Sequence, residues 1–481
     1  MTAHAETALS RIALLLAGAA VIGYCVLAAS KTWPLMDGDG VAYFPPVVEW
    51  SLKRPLTNPV WLPPLNDSID GPNGRRYIYH GFLYSLAVGG LAQRLGGGPQ
   101  ATVAAAYVLH GLVAVAGALV VLFWAEARGW TRVILAGLLP VAWLELSVTW
   151  HGRVEPLAIL IIAVGCWGWG ALRPLWREGI VGFAATLLFF TSPACGVLGS
   201  FCVAAAIARS HDGSPVSPRL FALAAGSVVG AAIAISVYPF PIRDWVGGVI
   251  RHGRINLGLP VGRGFVATWL ASPQLPLLMI SFALLAAVAG RRVLDVQPSR
   301  SRTQTAVFAA LAAIFGLGLA RLALLKTEAS YNAVVWMPLF ASIAASGRSR
   351  WPSWAVVIAF IFPAIGFVRS SAVLASQLRP NAVSFHDAQE AIRGLTPSGC
   401  SVSSGLWMAA SDSVAVTVGA MPSTPARYYV RQQANLGLSS PPDLPGYRLV
   451  QNRFGAAVRL FGLPVARTAS GWNFAVYERV R

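Results

Sequence analysis

Apolar residues run along this chain in stretches of about twenty, separated by short polar loops. The stretches fall at roughly 12–30, 101–124, 133–150, 154–172, 179–208, 220–240, 268–289, 304–322, 329–346 and 352–370. About 20 apolar residues of helix cross a bilayer core, so the pattern predicts an all-α polytopic membrane protein. Strands of a membrane β-barrel would alternate every second residue and give no such runs. One further run, 81–95, is shorter than a spanning helix needs, follows His80 and is broken by Gly89, Gly90 and Arg94, so it is expected to lie along a membrane surface. The run 179–208 is too long for one crossing and is interrupted at Ser192-Pro193, which suits two short helices meeting at one face.

Positive charge decides the topology. With 81–95 on the surface and 179–208 crossing twice, Arg11, Arg128, Arg132, Arg173, Arg177, Arg209, Arg219, Arg291, Arg292, Arg300, Arg302, Arg348 and Arg350 all fall on one face. Basic loops stay in the cytoplasm, so the expectation is eleven spanning helices, a cytoplasmic N-terminus and an outward-facing tail. The transmembrane unit is then residues 1–371, with a first outer loop over 31–100. From 372 to 481 the pattern changes to short alternating runs, such as Ala426–Val430 and Asn473–Tyr477, with one helical stretch near Phe385–Leu395. This predicts a small extracytoplasmic α/β domain.

Composition agrees: 56% of residues are hydrophobic, 12% are charged and the mean hydropathy is +0.60. The formal net charge of +18 would suggest nucleic acid in a soluble protein, but here many arginines sit in short loops that set topology, and no nucleic-acid partner is expected. The five cysteines form neither a CxxC nor a Cys/His cluster, so no zinc site or disulfide framework is implied. The single Arg11 before the first apolar run, with no evident cleavage site, reads as a retained helix or signal anchor. The composition fits a bacterial cytoplasmic membrane, and no repeat of halves argues for a transporter.

The stretch around which the candidate chemistry gathers is Met36-Asp37-Gly38-Asp39-Gly40-Val41-Ala42-Tyr43, just past the first apolar run. Two carboxylates here either cap the helix that begins near Val41 or serve a site; a glycine-flexed turn can aim both at one point. The expected topology puts them on the same outer face as His151-Gly152-Arg153-Val154-Glu155, the Ser192-Pro193 break and the loop 241–265. Arg153 either snorkels to the interface or grips a phosphate, and Glu155 either favours a helix N-terminus or takes part in the site. Glu145 lies deeper on the same helix, where an intramembrane acid either serves the site or has a structural partner such as Arg94 or a Trp N–H. Arg243, Arg251, His252, Arg254 and Arg263 are cationic against the trend of that face, which suits a lipid phosphate or anionic headgroups. Lys326, Tyr331 and Asn332 are further candidates for the same pocket, and Tyr79, Tyr84 and nearby tryptophans could stack a sugar. His110 is expected to be a satisfied helix–helix contact.

The acid-x-x-x-Tyr pattern Asp39…Tyr43, the stretch Tyr77-Ile78-Tyr79-His80-Gly81-Phe82-Leu83-Tyr84, the element Gly152-Arg153-Val154-Glu155-Pro156 and Thr191-Ser192-Pro193 together resemble the GT-C glycosyltransferases. The nearer likeness is to the branch of protein O-mannosyltransferases and lipid A aminoarabinose transferases, and it covers about residues 12 to 240. Two positions depart from that branch: Gly40 stands where many members carry a second acid, and Ser192 where they carry a phosphate-binding lysine.

The resemblance implies transfer of a sugar from a polyprenyl-phosphate donor to a glycan, lipid or protein of the cell envelope. On that basis Asp39 is the expected general base, with Asp37 sharing or orienting. Arg153, Arg251, Arg254, Arg263 and Lys326 are expected on the donor phosphate, and Tyr43, Tyr79, His80 and Glu155 on the sugar or acceptor. Two carboxylates are too few to assert a metal site, though Asp37 and Asp39 could hold Mg²⁺ or Mn²⁺. The alternatives are a flippase for lipid-linked glycans, an O-antigen-ligase-like enzyme and a non-catalytic scaffold.

Overall fold

The computed structural model describes residues 3–33, 40–60, 76, 81–148, 151–173, 175–193, 196, 216–258, 351–411, 417–418, 426–433, 443–466 and 471–480. The expected spans over 268–346 and the second half of 179–208 lie outside the described residues. Ten helices of the described residues precede the C-terminal domain: α1 (Ala3–Ser30), α2 (Gly40–Ser51), α3 (Leu83–Arg94), α4 (Gly98–Trp124), α5 (Trp130–Val148), α6 (Glu155–Ala171), α7 (Trp176–Thr191), α8 (Val216–Val237), α9 (Ile242–Gly258) and α10 (Ser353–Ala375). Five stretches within α1, α4, α5, α8 and the region of α10 are long and apolar enough to cross a membrane: His4–Ser30, Gly98–Leu122, Trp130–Val148, Ser217–Val237 and Val356–Leu378. Their exposed faces carry Leu15, Ile22, Leu112, Val115, Val228 and Ile365, which in water would be a large unsupported apolar surface.

Contacts at the helix ends fix the relative directions. Glu6 at the start of α1 lies 4.0 Å from Arg132 at the start of α5. The two-residue strand β1 (Ala125–Glu126), at the end of α4, pairs in parallel with β2 (Trp351–Pro352), at the start of α10. Glu178, near the start of α7, bonds Arg219 near the start of α8 at 2.6 Å, with Arg177 alongside at 2.9 Å. Helices α7 and α8 therefore start at the same end. Arg132, Arg177 and Arg219 thus gather at one end, here termed the basic end.

At the opposite end, α3 starts and finishes without crossing. Its approach residue Gly81 is pressed against Thr191 at the end of α7, where an added Cβ would fall 1.9 Å from the Thr191 carbonyl oxygen. Its far end turns through Gly96, Gly97 and Gly98, all with positive φ, directly into α4. The C-terminus of α2 is clamped there: Gln93 Nε2 donates to Trp50 O at 2.6 Å, and Gly98 N donates to Ser51 Oγ at 3.0 Å. Helix α2 carries Pro45 and Pro46 in its second turn, so two of its i→i−4 hydrogen bonds are absent. The sequence reading of 241–265 as a loop is corrected in part: Ile242–Gly258 is the helix α9.

Beyond α10 lies an α/β unit built on α11 (Phe385–Leu395), β3 (Cys400–Val402), the single turn α12 (Trp407–Ala410), β4 (Thr417–Val418), β5 (Tyr428–Gln432), β6 (Tyr447–Arg453), β7 (Val458–Leu460), β8 (Leu463–Ala466) and β9 (Phe474–Arg479). Its sheet runs in the order β4-β3-β5-β9-β6, with β3 parallel to both neighbours and β9 antiparallel to β5 and β6. Helix α11 opens with a capping box, Ser384 and Asp387 each accepting from the other's backbone N–H. The unit docks on the end of α1: Trp472 stands edge-on to Phe385 and donates its indole N–H to Thr32 O at 3.1 Å.

Candidate functional site at the end opposite the arginines

Two groups of side chains flank the entry to α3. In the first, the turn joining α5 to α6 is folded back under α2. Gly152 takes φ +77°, a conformation natural to glycine, and a Cβ there would meet the Phe44 ring at 3.2 Å. The turn thereby delivers Arg153 inward instead of to the interface. Its guanidinium grips Glu155 through two hydrogen bonds, Nε to Oε2 at 3.2 Å and Nη2 to Oε1 at 3.0 Å, and both side chains are only 8% exposed. Tyr43, on the first turn of α2, places its ring under the same guanidinium, 5.4 Å from centroid to Cζ. A planar cation thus has a carboxylate fork on its edge and an aromatic ring on its face, an arrangement that lysine could not fill.

Tyr84, on the first turn of α3, is fully buried, and its hydroxyl has no hydrogen-bond partner among the described residues. Burial, with the Glu155 carboxylate nearby, pushes that hydroxyl far above the usual phenol range. His151 stacks on Tyr107 at 4.8 Å and faces Phe44 at 5.6 Å. Its Nδ1 lies 3.0 Å from His110 Nε2, and His110 Nδ1 lies 2.6 Å from Ser147 Oγ. Burial depresses the His151 imidazole well below its ordinary 6.5, so the ring is neutral near pH 7. His110 therefore joins α4 to α5, as a satisfied helix–helix contact does.

The second group is aromatic. Phe82 stacks on Tyr238 at 4.2 Å and meets Phe190 and Trp245 at 5.5 Å each. Over it, Arg76 from the first loop bonds Asp244 on α9 at 3.1 Å and lies 5.1 Å above the Phe240 ring. Burial and the Asp244 carboxylate push the Tyr238 hydroxyl up, with Arg76 opposing. Deeper in the bundle, Glu145 accepts from Ser370 Oγ at 2.9 Å, in a niche left by Gly366. Helix α10 thus supplies one partner of this acid, Ser370, which the sequence reading did not name.

Of the residues singled out from sequence, the structure brings Tyr43, Arg153 and Glu155 into one contact set. Asp37, Asp39, Tyr79, His80, Arg263, Lys326, Tyr331 and Asn332 lie outside the described residues. Arg251 and Arg254 belong to the backbone of α9. Phe44, His151, Arg76 and Asp244 were not foreseen; the signal for the last pair was a lone acid in a loop otherwise rich in arginine. No protein-family model, curated protein or solved structure matches the chain.

Proposed function

We propose that this chain is an integral-membrane glycosyltransferase of GT-C type, moving a sugar from a polyprenyl-phosphate donor to a glycan, lipid or protein of the cell envelope. The observation that supports it most is the Tyr43–Arg153 contact. It brings the helix entered directly from Asp37-Gly38-Asp39 against a buried guanidinium, at the end of the bundle opposite Arg132, Arg177 and Arg219. With arginine-rich loops retained in the cytoplasm, that end is the outer face of a bacterial cytoplasmic membrane, and the C-terminal domain docked on Thr32 is periplasmic.

The chemistry asks for a base and for cations. Asp39 accepts the proton of the acceptor hydroxyl as its oxygen bonds the anomeric carbon, and the bond from that carbon to the phosphate oxygen breaks. The lipid monophosphate departs with the bonding electrons and is met by arginine. Arg153, whose charge Glu155 already answers, holds Tyr43 and the α2 entrance in place and contributes field at the phosphate. Arg251 and Arg254, one turn apart on α9, are the cations best suited to direct phosphate contact. The aromatic group around Phe82, Tyr238 and Trp245 offers an apolar wall to the prenyl chain.

Reconstituted vesicles supplied with radiolabelled polyprenyl-phosphate sugars and envelope acceptors test this reading. Transfer is expected from the wild type, with Asp39→Asn reducing it by about 10² or more. Equal activity of the variant would remove Asp39 from the role of base. Absence of transfer, together with movement of labelled lipid across the bilayer, would replace the enzyme with a flippase.

A further inference from the structure

The hairpin β7–β8 in the C-terminal domain carries an aromatic side chain that is almost wholly exposed among the described residues. The turn between the strands is Phe461-Gly462, with φ of +50° and +81°. Two-residue hairpin turns with both φ values positive favour Asn, Asp or Gly, because a Cβ is crowded in the left-handed region, and a bulky aromatic there is an outlier. Phe461 nevertheless occupies the first position and is 96% exposed, with Leu463 beside it at 70%. Backbone strain retained for a ring that touches almost nothing points to a use outside the chain. From Phe454 to Ala466 the segment holds no acid, and Arg459 is exposed on β7, its Nη1 reaching Gly462 O at 3.4 Å.

The hairpin's position names the partner. Both its strands run close to α10, the helix that leads into the domain. That helix shows an exposed apolar stripe of Trp354, Ile358, Ile361, Ile365 and Val368 at alternating spacings of four and three, the face a spanning helix offers to lipid. The hairpin therefore lies beside the helix that carries this stripe. We propose that Phe461 and Leu463 dip into the leaflet at the domain's end of the bundle, with Arg459 at the level of the anionic headgroups. Aromatic and aliphatic tips flanked by arginine are stable at that depth, where rings sit among the headgroups and guanidinium groups meet phosphate. The hairpin is then a second membrane contact for the domain besides α10. This depends on membrane embedding and not on the sugar-transfer reading.

The test uses the full-length chain in nanodiscs containing phosphatidylglycerol, with Cys25, Cys166, Cys195, Cys202 and Cys400 replaced by alanine. A nitroxide is attached at Phe461→Cys or, for reference, at His386→Cys on the exposed face of α11. Power-saturation EPR is expected to give a severalfold higher ratio of oxygen to nickel-chelate accessibility at 461 than at 386. Equal ratios would place the tip in water, and shielding from both reagents would place it in a protein interface; either overturns the proposal. Where the cysteine-free chain does not fold, Phe461→benzoylphenylalanine in the native background replaces it. Lipid adducts on irradiation would support insertion; chain-to-chain crosslinks, or recovery of the benzophenone without any adduct, would refute it.

Discussion

Arg153 and Glu155 are both nearly removed from solvent, two residues apart, and each is the other's answer to burial. Removing one partner of such a pair strands the other charge. Glu155→Gln is therefore expected to cost about 3–5 kcal/mol, read as a fall in melting temperature of the detergent-purified chain. The double replacement Arg153→Met with Glu155→Leu should melt closer to wild type, because no charge is left stranded. Transfer activity should be lost from both, which separates the fold's need for the pair from the reaction's. At this scale the sequence was informative about neighbourhoods and silent about pairings. Topology alone assigned Tyr43, Arg153 and Glu155 to one end, since each follows or precedes an apolar run whose direction the arginines determine. It did not supply the fork between residues 153 and 155, which depends on Gly152 holding a positive φ under Phe44. Nor did it supply Arg76 with Asp244, partners 168 positions apart that no local spacing announces.

Helices α7 and α8 show how small residues set an element's place. Gly182 and Gly179 on α7 face Leu223 and Gly226 on α8 so closely that a Cβ on Gly226 would fall 1.9 Å from the Gly179 carbonyl oxygen. Ser227 Oγ donates to Gly182 O at 3.2 Å across the same seam. Gly226-x-x-x-Gly230 is the small-xxx-small pattern by which apolar helices approach without a hydrophobic driving force between them. Gly226→Leu is expected to push the pair apart at a cost of about 1–3 kcal/mol or more, with unfolding in SDS reporting the loss. Gly247→Leu on α9, where nothing lies within 4 Å of the Cβ position, should behave as wild type. The elements themselves were largely legible. Apolar length gave α1, α4, α5, α6, α8 and α10, alternation gave β5 and β9, and a helix was expected where α11 lies. The amphipathic α9 was missed, because its polar face resembles loop composition when read without its period.

At the scale of the molecule, one tryptophan joins two units. Trp472 is fully buried, meets Phe385 edge-on and donates to Thr32 at the end of α1. Trp472→Ala is expected to destabilise this junction by about 3–5 kcal/mol. Limited proteolysis is then expected to cut the segment between α10 and α11 faster than in the wild type, while the helices keep their melting transition. The division into a helical unit and an α/β unit was legible from the change of pattern after residue 371. Their junction was not, since its hydrogen bond joins residues 440 positions apart in the chain. That separation governs biogenesis. A ribosome adding about 5–20 residues per second needs on the order of half a minute or more between releasing Thr32 and releasing Trp472. Throughout that interval the carbonyl at the end of α1 waits for its indole, so a nascent chain halted early is left with an unfinished joint. The Thr32–Trp472 bond is thus among the last contacts that synthesis allows the molecule to make.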